Sequence, residues 1–77
     1  MQQLMKSDVQ INVLLKELGT ALCTIRKETK MSIVQVAEMI NEDRRTVSRI
    51  ESGKYHNILP ILKYCELLGV GIRLKPV

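Results

Sequence analysis

Apolar positions fall along the chain in stripes at helical spacing and, at its end, in one alternating run. Ile11, Leu14, Leu15, Leu18, Leu22 and Ile25 keep offsets of three and four, which predicts a long amphipathic helix ending near residue 28. Residues 1–6 read as a lead-in, with Ser7 or Asp8 placed to cap that helix. Gly19 stands in its middle, where glycine costs about 1 kcal/mol against alanine. Either a close helix contact explains it or the helix breaks there.

Residues 31–53 predict two short helices around one sharp turn. Ser32 is placed to cap the first, Gln35 to answer its backbone amide, and Met31 to close over Val36 as a hydrophobic staple. Val36, Ala37 and Ile40 mark one face, and Val47 and Ile50 mark a face of the second helix that can meet it. Ala37 is small enough to let the two approach closely. Asn41 suits the turn because it tolerates a left-handed backbone. Asp43 caps the second helix, and Gly53 can end it.

After the loop Lys54, Tyr55, His56, a last helix runs from an Asn57 cap to Leu68, with Pro60 in its first turn and Gly69 as its stop. Ile58, Ile61, Leu62, Cys65 and Leu68 are its expected buried face, and Leu59 and Leu67 leave apolar surface to spare. In residues 70–77 the period changes. Ile72 and Leu74 alternate with Arg73 and Lys75, the pattern of a short β-strand. One strand needs a neighbour, and a two-fold-related tail could pair with it across a dimer.

Length leaves room for one domain, residues 1–77, which the elements read above make all-α apart from the short terminal strand. The core must be aliphatic, because the chain has no Phe or Trp and only two Tyr. So short a chain gains from dimerisation. A net charge of +4 suits a polyanionic partner without requiring one. Cys23 and Cys65 are far apart and form no CxxC pair, so no metal site or disulfide is expected, and free thiols fit a cytoplasmic protein. Neither a signal peptide nor a membrane-length apolar run is seen. The single histidine, His56, has no motif-spaced partner and there is no glycine-rich phosphate loop; an enzyme is not expected, nor any cofactor. Two tyrosines make no stacking platform for RNA.

The outer face of the second short helix carries Arg44, Arg45, Ser48 and Arg49. An arginine fork matches the paired guanine acceptors N7 and O6 in the major groove of B-DNA. The alternative is a solvated face balanced by Glu42, Asp43 and Glu51.

The gapless pattern over residues 31–54 resembles the repressor/Cro-type helix-turn-helix family, also called the xenobiotic-response-element family. Ser32, Val36, Ala37, Ile40, Thr46, Val47, Ser48, Arg49, Ile50, Glu51 and Gly53 have the family's residue types at their positions. Looser similarity reaches back to Leu18 and forward to Gly69, leaving residues 1–17 as an N-terminal helical extension. Ile33 departs from the family's glutamine, Lys30 and Asn41 from its glycines, and Glu42 from an aliphatic residue. The departure at Ile33 removes one expected phosphate contact.

The resemblance implies a lambda-repressor-like bundle of four to five helices, with the short terminal strand appended. It implies that Arg44, Arg45 and Arg49, with Ser48, reach base edges, and that Ser32, Thr46, Lys54 and Tyr55 approach phosphates. Arg26, Lys27 and Lys30, at the end of the first long helix, either contact phosphates or only complement its dipole. Ala37, Asn41, Asp43, Glu51 and Gly53 take structural roles, Glu51 by hydrogen bonds that hold the helix end.

The implied function is a dimeric, sequence-specific regulator of transcription on double-stranded DNA, most simply a repressor. A rival is an antitoxin that binds a toxin protein and represses its own operon, and a restriction-modification controller is a third reading. The extension needs a cover: a partner subunit, the chain's own C-terminal end, or ordinary packing within the monomer.

Overall fold

The computed structural model describes residues 2–71, with side chains from residue 10 onward. Four helices follow in order: α1 (Gln2–Glu28), α2 (Ile33–Met39), α3 (Arg44–Glu51) and α4 (Ile58–Leu68). No strand occurs among the described residues. Residues 72–77, where most of the expected strand would fall, lie outside them, and Val70 and Gly71 join no strand.

Local chemistry starts three of these helices. Ser32 and Gln35 form a reciprocal capping box: the Ser32 N–H donates to Gln35 Oε1 at 2.8 Å, and the Gln35 N–H to Ser32 Oγ at 3.0 Å. Asp43 Oδ1 accepts from the Arg45 N–H at 2.8 Å, and Asn57 Oδ1 from the Leu59 N–H at 3.2 Å. The long helix differs from expectation. It begins at Gln2, so Ser7 and Asp8 lie within it and do not cap it.

All four helices stop in the same way. A residue with positive φ follows each, namely Lys30 (60°), Asn41 (56°), Gly53 (76°) and Gly69 (69°). The next amide then reaches back to close the end: Met31 to Arg26 O, Glu42 to Ala37 O, Lys54 to Arg49 O and Val70 to Cys65 O. This is the Schellman arrangement, which satisfies carbonyls the helix leaves open. Glycine has the left-handed position at two ends, and a side chain is tolerated at the other two.

The helices enclose one aliphatic core. Leu22, Val36, Val47, Ile61 and Tyr64 are fully buried at its centre, with Ala37, Ile40, Ile50 and Cys65 around them. Helix α3 is gripped by α1 on one side and α2 on another, and α4 closes against α1 and α2. Gly19 does not break α1. A Cβ there would stand 2.2 Å from the Ile50 carbonyl oxygen and 2.7 Å from that of Glu51, so glycine is what lets α1 lie against the end of α3. Gly53 completes the seam, since a Cβ on it would come within 2.6 Å of Lys16 Cα.

Two expected faces are revised. In α4 the buried side is Pro60, Ile61, Tyr64 and Cys65, while Ile58 and Leu62 are exposed and Leu68 is half-buried. Among the described side chains of α1, those that join the core lie from Leu15 onward; Ile11, Val13 and Leu14 are 49%, 50% and 63% exposed. At ~1.5 Å per residue α1 is ~40 Å long, close to the molecule's 42 Å long axis. Within the extension, residues 10–14 are exposed, whereas Leu15 packs against the core and the Lys16 backbone lies against Gly53. None of the described helices is long and apolar enough to cross a membrane.

Candidate nucleic-acid interface

The turn between α2 and α3 sets the geometry of the site. Ile40 and the left-handed Asn41 reverse the chain, Asp43 starts α3 within a few residues, and the buried pair Val36 and Ala37 meets Val47 and Ile50. Burial of Val47 and Ile50 fixes the rotation of α3. Arg44, Arg45, Ser48 and Arg49 are thereby turned to solvent, with Thr46 half-buried beside them. Arg44, Arg45 and Ser48 share an open cleft with Ile33 and Val34 from the first turn of α2.

The nearby carboxylates are all engaged elsewhere. Asp43 caps α3. Glu42 pairs with Lys63 of α4 at 3.3 Å, and Lys63 also donates to the Ile40 carbonyl. Glu51 faces inward, where it accepts from Arg26 Nε at 2.6 Å, from Arg26 Nη2 at 3.1 Å and from the Tyr64 hydroxyl. Among the described residues, Arg44, Arg45 and Arg49 form no ion pair. None of Glu42, Asp43 and Glu51 pairs with an arginine of α3.

Arg26 is a correction to the expected phosphate set. It is only 8% exposed, its Nη1 donates to the Met31 carbonyl at 2.9 Å, and its other nitrogens are held by Glu51. A guanidinium so buried and so committed is not presented to a phosphate. Burial alone would push the Glu51 carboxyl up, but the hydrogen bonds from Arg26 and Tyr64 outweigh it and hold the group below its ordinary value. The same contact raises Arg26, while burial and then the bond to Glu51 push the Tyr64 phenol up. No buried side-chain nitrogen or oxygen among the described residues lacks a partner.

The other expected phosphate contacts are placed variously. Lys27, Lys30 and Lys54 are exposed, Ser32 is exposed but spends its hydroxyl on the capping box, and Tyr55 is half-buried with its ring against the core. His56 is exposed in the loop. Cys65 is buried, which pushes its thiol up, whereas Cys23 is only partly covered and lies 3.7 Å from Arg26 Nη2. Among the described residues no cluster of three His, Cys, Asp or Glu side chains could hold a metal ion.

Three contributors were not singled out from the pattern of the chain. Tyr64 completes the Ile61–Cys65 stripe, a place its helical offset alone would have given it. Lys63 finds Glu42 across a separation of 21 residues that no local rule spans. Val34 stands beside Ile33 at the start of α2, where only one of two consecutive aliphatics can turn inward.

A family model described as helix-turn-helix matches residues 24–74, well over half of the chain. No curated protein matches it.

Proposed function

Because the chain belongs to the Cro/C1-type helix-turn-helix family of DNA-binding regulators, we propose that it is a dimeric, sequence-specific repressor that reads the major groove with α3. The observation that carries this reading is the exposed arginine face of α3 with no carboxylate partner among the described residues. Arg44, Arg45 and Arg49 are assigned to base edges, guanine first, with Ser48 as a lesser reader. Lys27, Lys30, Lys54, Thr46, Tyr55 and the Ser32 end of α2 are assigned to the phosphate backbone, which sets register without reading sequence. Arg26 is left out of that set. The expected operator is an imperfect palindrome whose half-sites lie ~34 Å apart.

A second reading is favoured by the apolar surface on α1 at Ile11, Val13 and Leu14 and on α4 at Ile58, Leu59 and Leu62. Surface of that kind marks a protein partner. It serves a homodimer, and equally an antitoxin that holds a toxin while repressing its own operon. A toxin gene next door supports the antitoxin; a divergent promoter supports a stand-alone regulator.

The test is a titration of the protein against its own upstream DNA and unrelated DNA at two salt concentrations. Promoter-selective binding that Arg44→Ala or Arg49→Ala weakens by ~1–3 kcal/mol, with relaxed preference at one base pair, supports base reading. Binding equal on every sequence and lost at modest salt would reduce the arginines to an electrostatic face.

A further inference from the structure

The cleft between α2 and α3 contains an apolar element that cationic chemistry leaves unexplained. Ile33 and Val34 line it opposite Arg44, Arg45 and Ser48, and Val34 is 48% exposed. Its position is stiff. The capping box fixes the first turn of α2 at both of its hydrogen bonds, and Val36 and Ala37 anchor the next turn in the core. A β-branched side chain on such a turn has essentially one rotamer. An isopropyl group held still in a cleft shared with two arginines offers nothing to a phosphate, while the cations of that cleft select a polyanion as the occupant.

The major groove of B-DNA presents one apolar group, the C5 methyl of thymine. The cleft, about 430 Å³, is many times the size of a methyl and so admits the edge of the base that carries it. We infer that Val34, backed by Ile33, is a specificity residue that packs on a thymine methyl beside the base pairs read by Arg44 and Arg45. The inference rests on the DNA-reading proposal above and adds a second kind of contact to it.

Deoxyuridine separates the two, because it removes the methyl and keeps every hydrogen-bonding atom of thymine. Sites are first selected from a random-sequence duplex pool with the full chain. Each thymine of the selected half-site is then replaced in turn by deoxyuridine. Burial of one methyl carbon corresponds to about fourfold in affinity, so one replacement should weaken wild-type binding about fourfold. Val34→Ser, an exposed change checked by its thermal melt, should bind the thymine and deoxyuridine sites equally.

Three results overturn the inference: a selected half-site without thymine next to the arginine-read positions, no replacement that weakens binding, or a methyl preference that survives in Val34→Ser. Indifference to the methyl together with weaker binding of Val34→Ser on all DNA would place Val34 on the deoxyribose backbone. A pool that yields no enriched sequence removes the DNA-reading proposal itself, and this inference with it.

Discussion

Replacing Glu51 with glutamine changes almost nothing in shape, yet it strikes the more deeply buried of the two ion pairs among the described residues. The carboxylate accepts both arms of Arg26 and the Tyr64 hydroxyl, and the Arg26 and Glu51 side chains are only 10% and 8% exposed. In Glu51→Gln the guanidinium loses its counter-charge, and one amide oxygen must serve donors that two oxygens served before. Breaking a buried pair from one side costs ~3–5 kcal/mol. The low end, about 3 kcal/mol, applies because Arg26 keeps the Met31 carbonyl. A domain of 77 residues has ~4–12 kcal/mol of stability in all. In a domain of this size each 1 kcal/mol moves Tm by ~4–8 °C, so the melt should fall by ~12–24 °C.

Removing all three polar partners together should be far milder. Arg26→Met/Glu51→Leu/Tyr64→Phe leaves neither an unpaired charge nor an orphaned hydroxyl, only the Met31 carbonyl without its Arg26 donor, and apolar replacement of a buried pair is often neutral. Urea unfolding followed by far-UV circular dichroism measures both variants, and the single changes Arg26→Met, Glu51→Leu and Tyr64→Phe, summed and set against the triple, give the coupling. A loss below ~1 kcal/mol for Glu51→Gln, or a triple variant as unstable as the single one, would refute the argument that the stabilisation is a pairing of buried charges.

Stability should also depend on pH through the same group. With Glu51 held below 4.5, the folded state binds fewer protons than the unfolded chain in that range. Its contribution is complete above about 4.5 and is lost as pH falls through the folded value, a slope that Glu51→Gln should lack in acid titrations. Tyr64 acts at the other end: its phenol is held above 10.0, so its contribution is intact below that pH and drains as pH rises through the folded value, which Tyr64→Phe should abolish. Gly19→Ala should destabilise by about 2 kcal/mol net, since overpacking against backbone carbonyls costs ~3 and helix propensity returns ~1; Gly71→Ala, in open space, is its control in urea melts. Lys30→Gly should raise Tm, because a left-handed side-chain residue costs ~1–2 kcal/mol and the added glycine entropy only ~0.5–1; an unchanged or lower Tm would show that the lysine is not strained there.

The sequence was most legible where causes are local. Ser32 with Gln35, Asp43, Asn57 and Gly69 act on amides or carbonyls a few residues away, so their roles at the helix ends could be read from neighbours alone. Where the cause lies across the fold, the reading missed. Arg26 looked like a surface cation because its partner Glu51 is 25 residues away. Tyr64 was passed over for Ile58 and Leu62 because hydropathy ranks a phenol below an aliphatic, whereas the fold needs a large ring whose tip reaches Glu51. The start of α1 was misplaced for another reason: Ser7 and Asp8 are good caps, but a helix already begun upstream does not need them. The cleft around Val34 arises only when α2 and α3 are set side by side, a juxtaposition that no spacing along one helix encodes.

The contact that joins Arg26, Glu51 and Tyr64 also dictates a schedule for a chain being synthesised. Helix α1 leaves the ribosome ahead of α3, with a guanidinium still lacking Glu51, and α3 follows with a carboxylate that lacks one of its donors. The Arg26 set is complete once Glu51 has emerged, but the Glu51 set waits for Tyr64, and the buried side of α4 arrives with it. Shorter nascent chains therefore have no stable arrangement in which α3 is fixed in rotation. The surface proposed to read DNA is therefore expected to form in one step with the rest of the core, not helix by helix.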